Sequence, residues 1–322
     1  MPNYVNYPGA EGKVKGDFSK DTSLNIFKYN SEVLVAFKRL CLMEGLVQYK
    51  DCSKAKGRKF NLFGRGEARY VKPGESQLEK VNRQYDRTQI TIYPDYPLIS
   101  DDLIDDFSAL MNDFNERQLA TEATAEALAN KRDKSMLQQA ILAAREPGKV
   151  EGMYGGSSLV YADCDSDVQQ LRKALTAAAV AMDEKDVPDT DRNVILKPLQ
   201  YRMLVDCDDV VEDSVGGDGS RSKGIVGRYQ GLLLRKSNNL PTTDLTGTDD
   251  ALMNNTYEGN FTGTVASVIT SRVLGAVRLS GMKTEHQRHA DRQSDYYITS
   301  LMVGSGILRP DCAVEIRNAA LA

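Results

Sequence analysis

The stretch ERQLATEATAEALANKRDKSMLQQAILAAR, residues 116–145, decides how the rest of the chain is arranged. Alanine and long unbranched side chains dominate it, and these residues have high helix propensities. Arg145 suits the negative end of the helix dipole, and Pro147-Gly148 then stops the helix. At 1.5 Å per residue the helix extends for about 45 Å. Because this is too long for a unit of about 50 residues, it predicts a spine that crosses the whole molecule.

A second helix is predicted immediately before the spine, over residues 100–111. Ser100 is a favourable N-cap, and Asp101 and Asp102 suit the positive end of a helix dipole. A kink near residues 112–115 would separate this helix from the spine. The apolar side chains that recur at helical spacing are Leu103, Ile104, Phe107, Leu110 and Met111.

Residues 46–98 have the composition of a long β-hairpin. The runs 60–63 and 89–93 have strand composition, and Pro73-Gly74 between them is a strong turn signal. No large apolar face accompanies these strands, and two strands alone are marginally stable in water. Residues 50–87 contain eleven basic and five acidic side chains. The hairpin is therefore predicted to project from its domain and to be completed by a neighbouring copy of the chain.

The hairpin carries the residues that we expect to contact a neighbouring subunit. Its cations would pair with acidic patches next door, and its apolar side chains would supply the less salt-sensitive part of the contact. Gly74 is expected to have a positive φ, which other residues rarely adopt. The candidate contact residues are Lys56, Arg58, Lys59, Phe60, Leu62, Phe63, Arg65, Arg69, Tyr70, Pro73 and Gly74.

The same hairpin is open to a second interpretation, in which residues 50–87 grip nucleic acid. Aromatic side chains such as Tyr49, Phe63 and Tyr85 lie between its cations, as in a base-stacking platform. The rest of the chain has a surplus of acidic residues that can receive a basic arm, so contact between protein copies is favoured. The net charge of −4 also argues against a dedicated nucleic-acid binder.

The segment before the hairpin predicts an arm followed by a short helix. Residues 1–30 are rich in Gly, Asn, Lys and Tyr without sustained periodicity, which indicates an extended arm. Apolar residues between Val33 and Cys41 then recur at helical spacing over about three turns.

The second half of the chain has a mixed α and β pattern with long surface loops. Residues 150–162 indicate a loop, after which Asp165 or Ser166 caps a helix that ends before Pro188. Loops rich in Gly, Asp, Asn and Thr follow at residues 212–224 and 237–262. Strand composition recurs at residues 194–196, 201–205, 229–234, 265–269, 273–279, 296–303 and 313–316.

Length and composition limit the classes of protein that this chain can represent. It has 322 residues, 41% hydrophobic and 27% charged, so it is long enough for two domains and is not disordered. No apolar run approaches the 18–20 residues or so of a membrane span, and the first ten residues lack signal-peptide order. Five cysteines without a CxxC pair indicate free thiols in a reducing compartment.

No pattern in the chain predicts an active site. The acidic cluster at 163–167 lacks the glycine and the glutamate of a calcium loop, and glycine-rich residues 216–224 lack the order of a phosphate-binding loop. The acidic cluster at 206–209 suits a solvated loop. His286 and His289 have a spacing that suits a metal on a helix, but no third ligand accompanies them. We therefore expect a protein that is not an enzyme and has no cofactor or metal.

Several stretches, taken in order, carry a resemblance to a known family. They are residues 31–37, 60–65, 70–75, 288–295 and 304–311. With them the chain resembles the major capsid proteins of short-tailed, T-seven-like bacteriophages (podoviruses), whose α+β fold is the Hong Kong 97 type (HK97-like). Similarity in register covers most of residues 30–145 and 265–316.

The resemblance implies a division of the chain into the named parts of that fold. An N-arm, a hairpin called the E-loop, a peripheral domain with the spine helix and an axial domain are expected. The implied parts are 1–45 (N-arm and short helix), 46–98 (E-loop), 99–150 (peripheral domain spine helix), 151–264 (axial domain), 265–302 (peripheral domain strands) and 303–322 (C-terminal return to the axial domain).

The resemblance also implies a function and a set of partners. Copies would form pentamers and hexamers of an icosahedral capsid, first a procapsid and then an expanded head, around double-stranded DNA without sequence-specific binding. Because no long scaffolding segment precedes residue 30, a separate scaffolding protein is expected, with a portal protein and optionally a decoration protein. The protein would reside in the virion, without a membrane, after assembly in the cytoplasm of the host bacterium.

Two other functions remain open at the level of sequence. An encapsulin-like cellular compartment would use the same fold to package a protein cargo. A nucleic-acid-binding protein would use the basic hairpin at residues 50–87 instead.

Overall fold

The spine helix predicted over residues 116–145 is present in the computed structural model with those bounds. Its first half packs Leu128 against one apolar cluster, and its second half packs Met136 and Ile141 against another. The helix therefore connects the two halves of the molecule, as predicted. The structure describes residues 33, 35–37, 41–52, 55–66, 70, 72–74, 87–107, 116–207, 227–247 and 253–319.

The strands and helices are numbered in chain order through the described residues. They are β1 (Gln48–Asp51), β2 (Arg58–Phe63), β3 (Arg87–Ile92), β4 (Leu98–Asp105), α1 (Glu116–Arg145), β5 (Ser157–Val160), α2 (Val168–Asp183), β6 (Asn193–Leu196), α3 (Pro198–Val205), β7 (Arg228–Tyr229), β8 (Leu232–Lys236), β9 (Thr264–Ile269), β10 (Leu274–His289), β11 (Ser294–Ile307) and β12 (Ala313–Arg317).

Two larger sheets and one hairpin organise these strands. The four-stranded sheet has the order β1-β10-β11-β4, and β2 pairs with β3 as a separate ribbon. The six-stranded sheet has the order β5-β12-β9-β6-β8-β7, with β6, β9 and β12 buried along their whole length. The last strand thus joins the sheet built mainly from the middle of the chain. Strand β9 lies in that sheet too, so the boundary between the two sheets falls after Ile269 rather than at residue 265.

The largest apolar core lies around the six-stranded sheet. Helix α2 contributes Leu171, Leu175 and Met182, which have no exposed surface. This helix begins after Asp167, whose carboxylate accepts a hydrogen bond from the Gln169 backbone N–H at 2.9 Å. The predicted helix is therefore confirmed, and its cap is one residue beyond the two that the sequence suggested.

The predicted helix at residues 100–111 is wrong over its first half, because residues 98–105 form strand β4. This strand pairs antiparallel with β11, so that Asp101 lies opposite Ile298. Its side chains alternate, with Ile99 and Leu103 exposed on one face and their neighbours partly covered on the other. Only Asp106 and Phe107 are helical in the described part of this segment. The apolar residues of this short run fit the spacing of a helix as well as that of a strand. Pairing with β11 therefore decides that the segment is a strand.

Two further predictions in the second half of the chain are also wrong. Residues 201–205 form the end of helix α3 rather than a strand, because Pro198 occupies the first turn, where its missing N–H is not needed. Residues 157–160, predicted as loop, form β5 at the edge of the six-stranded sheet, where they pair in parallel with β12. The predicted strand at 229–234 is divided by a turn at residues 230–231 into the paired strands β7 and β8. The other predicted strands are present, and β10 extends ten residues further than predicted, to His289.

The short helix predicted before the hairpin is confirmed where the structure describes it, since residues 33 and 35–37 are helical. The predicted arm at 1–30, the kink at 112–115 and the loop at 212–224 lie outside the described residues. Among those that are described, no helix is both long enough and apolar enough to span a membrane. All five cysteines are unpaired thiols.

Candidate intersubunit surface

The hairpin predicted over residues 46–98 is formed by β2 and β3. The two strands pair antiparallel in a continuous register from Arg58 opposite Ile92 to Phe63 opposite Arg87. The preceding β1 does not belong to the hairpin, because it pairs in parallel with β10 in the four-stranded sheet. The strand runs at 60–63 and 89–93 are therefore confirmed, and the projecting part is shorter than residues 46–98.

The base of the hairpin is anchored in its own chain by apolar side chains. Phe60 and Leu62 point to the same face of β2 and are only 4% and 7% exposed. Together with Ile92 they pack against Val277 and Leu308 of the body. The expectation that Phe60 and Leu62 contact a neighbour is therefore corrected, since this alternation directs both into the core of their own subunit.

Glycines in β10 and β11 permit the hairpin to pack closely against the four-stranded sheet. A Cβ atom on Gly304 would lie 1.9 Å from the Tyr93 carbonyl oxygen, and one on Gly306 would lie 2.9 Å from Cγ1 of Ile92. Only glycine fits at such distances. These glycines lie within residues 304–311, which carry the family resemblance, but the sequence predicts no role for them because a close approach between distant segments has no local signal.

Arg65 fastens the hairpin to the half of the molecule that carries the six-stranded sheet. Its Nη1 lies 2.6 Å from Oδ2 of Asp186, and its Nη2 donates to the backbone carbonyl of Lys185. The guanidinium also lies 4.6 Å from the centre of the Tyr154 ring. Arg65 is thus engaged within the chain rather than available to a neighbour.

The remaining predicted basic residues of the hairpin differ in whether their charged groups have partners within the chain. Arg58 donates from Nε to the Asp51 carbonyl oxygen at 2.7 Å. Lys56 and Lys59 are exposed, and neither ammonium group has an ion pair with any residue in the described ranges. Arg69 lies outside the described residues. Among the predicted cations in the described residues, Lys56 and Lys59 are therefore the two whose charged groups have neither an ion pair nor a hydrogen bond.

Exposed apolar side chains and the turn complete the outer part of the hairpin. Phe63 is 58% exposed, and Tyr70 is fully exposed. Pro73 and Gly74 are exposed in a turn, where Gly74 has φ of +84°, as predicted. Phe63 and Tyr70 are thus large apolar side chains that remain accessible to another molecule.

Two other surfaces expose acidic or apolar side chains that would complement the basic and apolar side chains of the hairpin. Helix α1 exposes Leu119 together with Glu122 and Glu126, two carboxylates one turn apart that form no ion pair among the described residues. The edge strand β4 exposes Ile99 and Leu103 on one face of the sheet. The incorrect helix prediction at residues 100–111 concealed the second surface, because a helix would have turned these side chains towards the core.

The two histidines do not form a metal site. Both lie on strand β10, not on a helix, and residues three apart on a strand point to opposite faces. His286 Nε2 lies 3.0 Å from Oδ1 of Asp295 and its ring packs on Tyr297, whereas His289 faces Tyr296. No group of three or more potential metal ligands occurs among the described residues.

The spine helix, the anchored hairpin and the two sheets together are the Hong Kong 97 type of fold, the fold of subunits that build icosahedral phage capsids. The family model of Gp10A-like major capsid proteins matches residues 59–317. The chain therefore belongs to this family of major capsid proteins, and it is a self-associating structural subunit of the virion shell.

Individual relatives agree with this assignment. The major capsid protein of Escherichia phage T7 is 25% identical over 309 residues, which cover 88% of this chain and 89% of that protein. The major capsid protein of Enterobacteria phage T3 is 25% identical over 328 residues and 94% of each chain. Among solved structures, the capsid of Cyanophage P-SCSP1u is similar with a TM-score of 0.75 and 27% identity, covering 87% of this chain and 89% of that one.

Proposed function

We propose that neighbouring subunits of this capsid protein are joined by the outer part of the hairpin, which lies on the spine helix of the next copy. Lys56 and Lys59 would face Glu122 and Glu126, while Phe63 and Tyr70 would cover Leu119. The observation that carries the proposal is that unpaired charge of opposite sign accompanies exposed apolar side chains on both surfaces. Burying such apolar area stabilises a contact by about 25 cal/mol per Å².

The charges would select the partner, and the apolar side chains would provide most of the affinity. Exposed ion pairs contribute only about 0–1 kcal/mol each. A closed shell repeats the same contact many times, so the small free energy of each ion pair adds up over the whole particle. Placing like charges opposite each other would oppose assembly at every one of these contacts. The remaining candidate residues Arg58, Arg69, Pro73 and Gly74 would shape and extend the same contact.

The larger assembly follows from the resemblance to podovirus capsid proteins. The shell would pass from procapsid to expanded head, enclose double-stranded DNA and form with a separate scaffolding protein and a portal protein. Residues 99–150 and the strands β10 and β11 would be the peripheral domain, and the six-stranded sheet would be the axial domain. The chain would act as a structural protein and not as an enzyme.

A charge swap tests the hairpin contact. Lys56→Glu/Lys59→Glu should lower the yield of particles at least tenfold, whereas Lys56→Arg/Lys59→Arg should assemble normally because the charge is kept. Combining the two glutamates with Glu122→Lys/Glu126→Lys should restore assembly. Particles are counted by negative-stain microscopy, and circular dichroism of the subunit checks folding. Normal yield from the Lys→Glu pair, or no restoration by the swap, contradicts the proposed contact.

Packaged DNA separates a phage shell from a cellular compartment with the same fold. Particles purified from infected cells are treated with nuclease and then extracted. We expect protected double-stranded DNA inside; particles that protect only a protein cargo would contradict the proposal. Salt-dependent binding of DNA by the unassembled subunit would instead favour the nucleic-acid function of the basic hairpin.

A further inference from the structure

A cavity of about 540 Å³ lies beside the middle of the spine helix. Its lining includes Lys131, Arg132 and Lys134 of α1 and the segment 95–98 that leads into β4. Leu301 and Val303 of β11 also line it. The cavity is thus partly enclosed and combines cationic with apolar walls.

Arg132 is buried in this wall without a partner for its charge. The residue is 5% exposed, and its Nε and Nη2 atoms have no hydrogen-bond partner. No ion pair of Arg132 occurs with any residue that the structure describes. A buried guanidinium is normally paired, because removing an ion from water without compensation is strongly unfavourable.

The nearest carboxylate on the same cavity, Asp95, is already engaged by neutral donors. Its Oδ1 accepts from the Asn254 backbone N–H at 3.1 Å and from Asn255 Nδ2 at 2.8 Å, and its Oδ2 accepts from the Tyr257 hydroxyl. Burial raises the pKa of Asp95, whereas these hydrogen bonds and the positive charge of Arg132 oppose the shift. Asp95 therefore lies in the field of Arg132, but the two side chains form no ion pair.

The other carboxylates near Arg132 are also occupied. Asp133 accepts hydrogen bonds from the backbone N–H groups of Leu42 and Met43 at 2.8 and 3.0 Å. Glu44, on the far side of Arg132, accepts from the Tyr49 hydroxyl. None of the three carboxylates lies within ion-pair distance of Arg132, so its guanidinium is left for a group from outside.

The surroundings of Arg132 define the chemistry of that group. Exposed Lys131 and Lys134 flank the opening and have no ion pair among the residues described, so the cavity attracts an anion. A guanidinium pairs best with a planar carboxylate, which can accept two parallel hydrogen bonds. The apolar walls formed by Leu98, Leu301 and Val303 favour an anion attached to an apolar neighbour rather than a free hydrated ion.

We propose that this cavity binds a protein segment that inserts a carboxylate side chain, flanked by apolar residues, onto Arg132. The phosphates of duplex DNA lie on the outside of a wide double helix, which does not fit into the cavity. A single side chain of a protein reaches the buried Arg132 guanidinium more readily. The site is independent of the hairpin contact, and it can be tested on the unassembled subunit.

Fluorescence anisotropy with a labelled peptide tests the proposal. The probe is Ala-Leu-Glu-Leu-Ala with blocked ends and a fluorescein, and Ala-Leu-Gln-Leu-Ala is its matched counterpart. The native full-length subunit should bind the Glu peptide saturably and the Gln peptide at least tenfold more weakly. Arg132→Met should weaken binding of the Glu peptide at least tenfold, whereas Arg202→Met, an exposed arginine on α3, should leave it unchanged.

Two further measurements distinguish a loss of peptide binding from a loss of folding. Thermal unfolding of Arg132→Met should occur at the native temperature or higher, because an unpaired buried cation is removed. Lys131→Gln/Lys134→Gln changes only exposed side chains and should weaken binding about threefold, so it carries the test if Arg132→Met does not fold. Equal binding of the Glu and Gln peptides, unchanged affinity in these variants, or displacement of the peptide by equimolar inorganic phosphate would overturn the proposal.

Discussion

Single glycines serve two distinct purposes in this subunit. Gly304 provides space, since any Cβ would overlap the Tyr93 carbonyl oxygen of the hairpin base. Gly74 provides conformation, since its φ of +84° is unfavourable for L-residues although nothing lies within 4 Å of its Cβ position. The first requirement depends on a distant segment, and the second depends only on the turn.

Gly74→Val should therefore strain the turn without disturbing the core. A left-handed backbone costs a residue with a Cβ about 1–2 kcal/mol, and a β-branched side chain is the least tolerant. We expect a lower yield of particles, with a loss of stability of no more than about 1–2 kcal/mol in urea unfolding of the unassembled subunit. Gly45→Val is the matched control, because Gly45 has open space and no positive φ. Native yield from Gly74→Val would show that the turn geometry does not matter for assembly.

At the scale of elements, the end of the spine helix is fixed to the six-stranded sheet by a buried ion pair. Arg145 donates from Nε and Nη2 to the two carboxylate oxygens of Glu315, each at 2.7 Å. Glu315 lies on β12 and is fully buried, and Thr264 and Ser158 also donate to it. The pair sets the position of the helix end relative to the central strands.

Arg145→Met should destabilise the unassembled subunit by about 3 kcal/mol, because it leaves a buried carboxylate without its main cation. The Arg317 guanidinium, 3.9 Å from Glu315, and the two hydroxyl donors limit the loss. The double variant Arg145→Met/Glu315→Leu should recover only part of it, because it removes the uncompensated carboxylate but leaves the buried Arg317 guanidinium without its carboxylate partner. Urea unfolding followed by circular dichroism measures both. A loss below about 1 kcal/mol in the single variant would mean that the pair is not a major anchor.

At the scale of the whole molecule, the outer face of the four-stranded sheet is covered only at one end, where the hairpin packs against Val277 and approaches Gly304 and Gly306. Helix α1 and the helical residues 33 and 35–37 cover the inner face, through an apolar cluster that includes Tyr297 and Leu301. The outer face presents Ile99 and Leu103, with Phe107 just beyond the strand, all more than half exposed. In a shell subunit, such a face is expected to be buried when copies associate.

Ile99→Lys/Leu103→Lys should prevent or greatly reduce particle formation while leaving the subunit folded, because these side chains contribute little to its own core. Sedimentation velocity of the expressed protein distinguishes particles from free subunits. Leu199→Lys is the control, since Leu199 is 65% exposed on α3, away from this face. Particle formation at native yield by the double lysine variant would remove β4 from the set of assembly surfaces.

The sequence by itself determined the elements whose signals are local. The spine helix follows from thirty residues of high helix propensity, and the hairpin strands and the positive φ at Gly74 follow from composition and turn chemistry. The order of these elements was sufficient for the resemblance to a capsid family.

Only the tertiary structure decided the features that depend on distant partners. Residues 98–105 and 201–205 fit helix or strand equally well until β11 or Pro198 and its surroundings select one. Phe60 and Leu62 have the composition of an exposed arm, but they are buried because Gly304 and Gly306 allow the hairpin to approach. Likewise, Arg145 has an ion-pair partner and Arg132 has none because of which carboxylates the folded chain places near each guanidinium. The distance between residues far apart in the chain cannot be predicted from the local sequence.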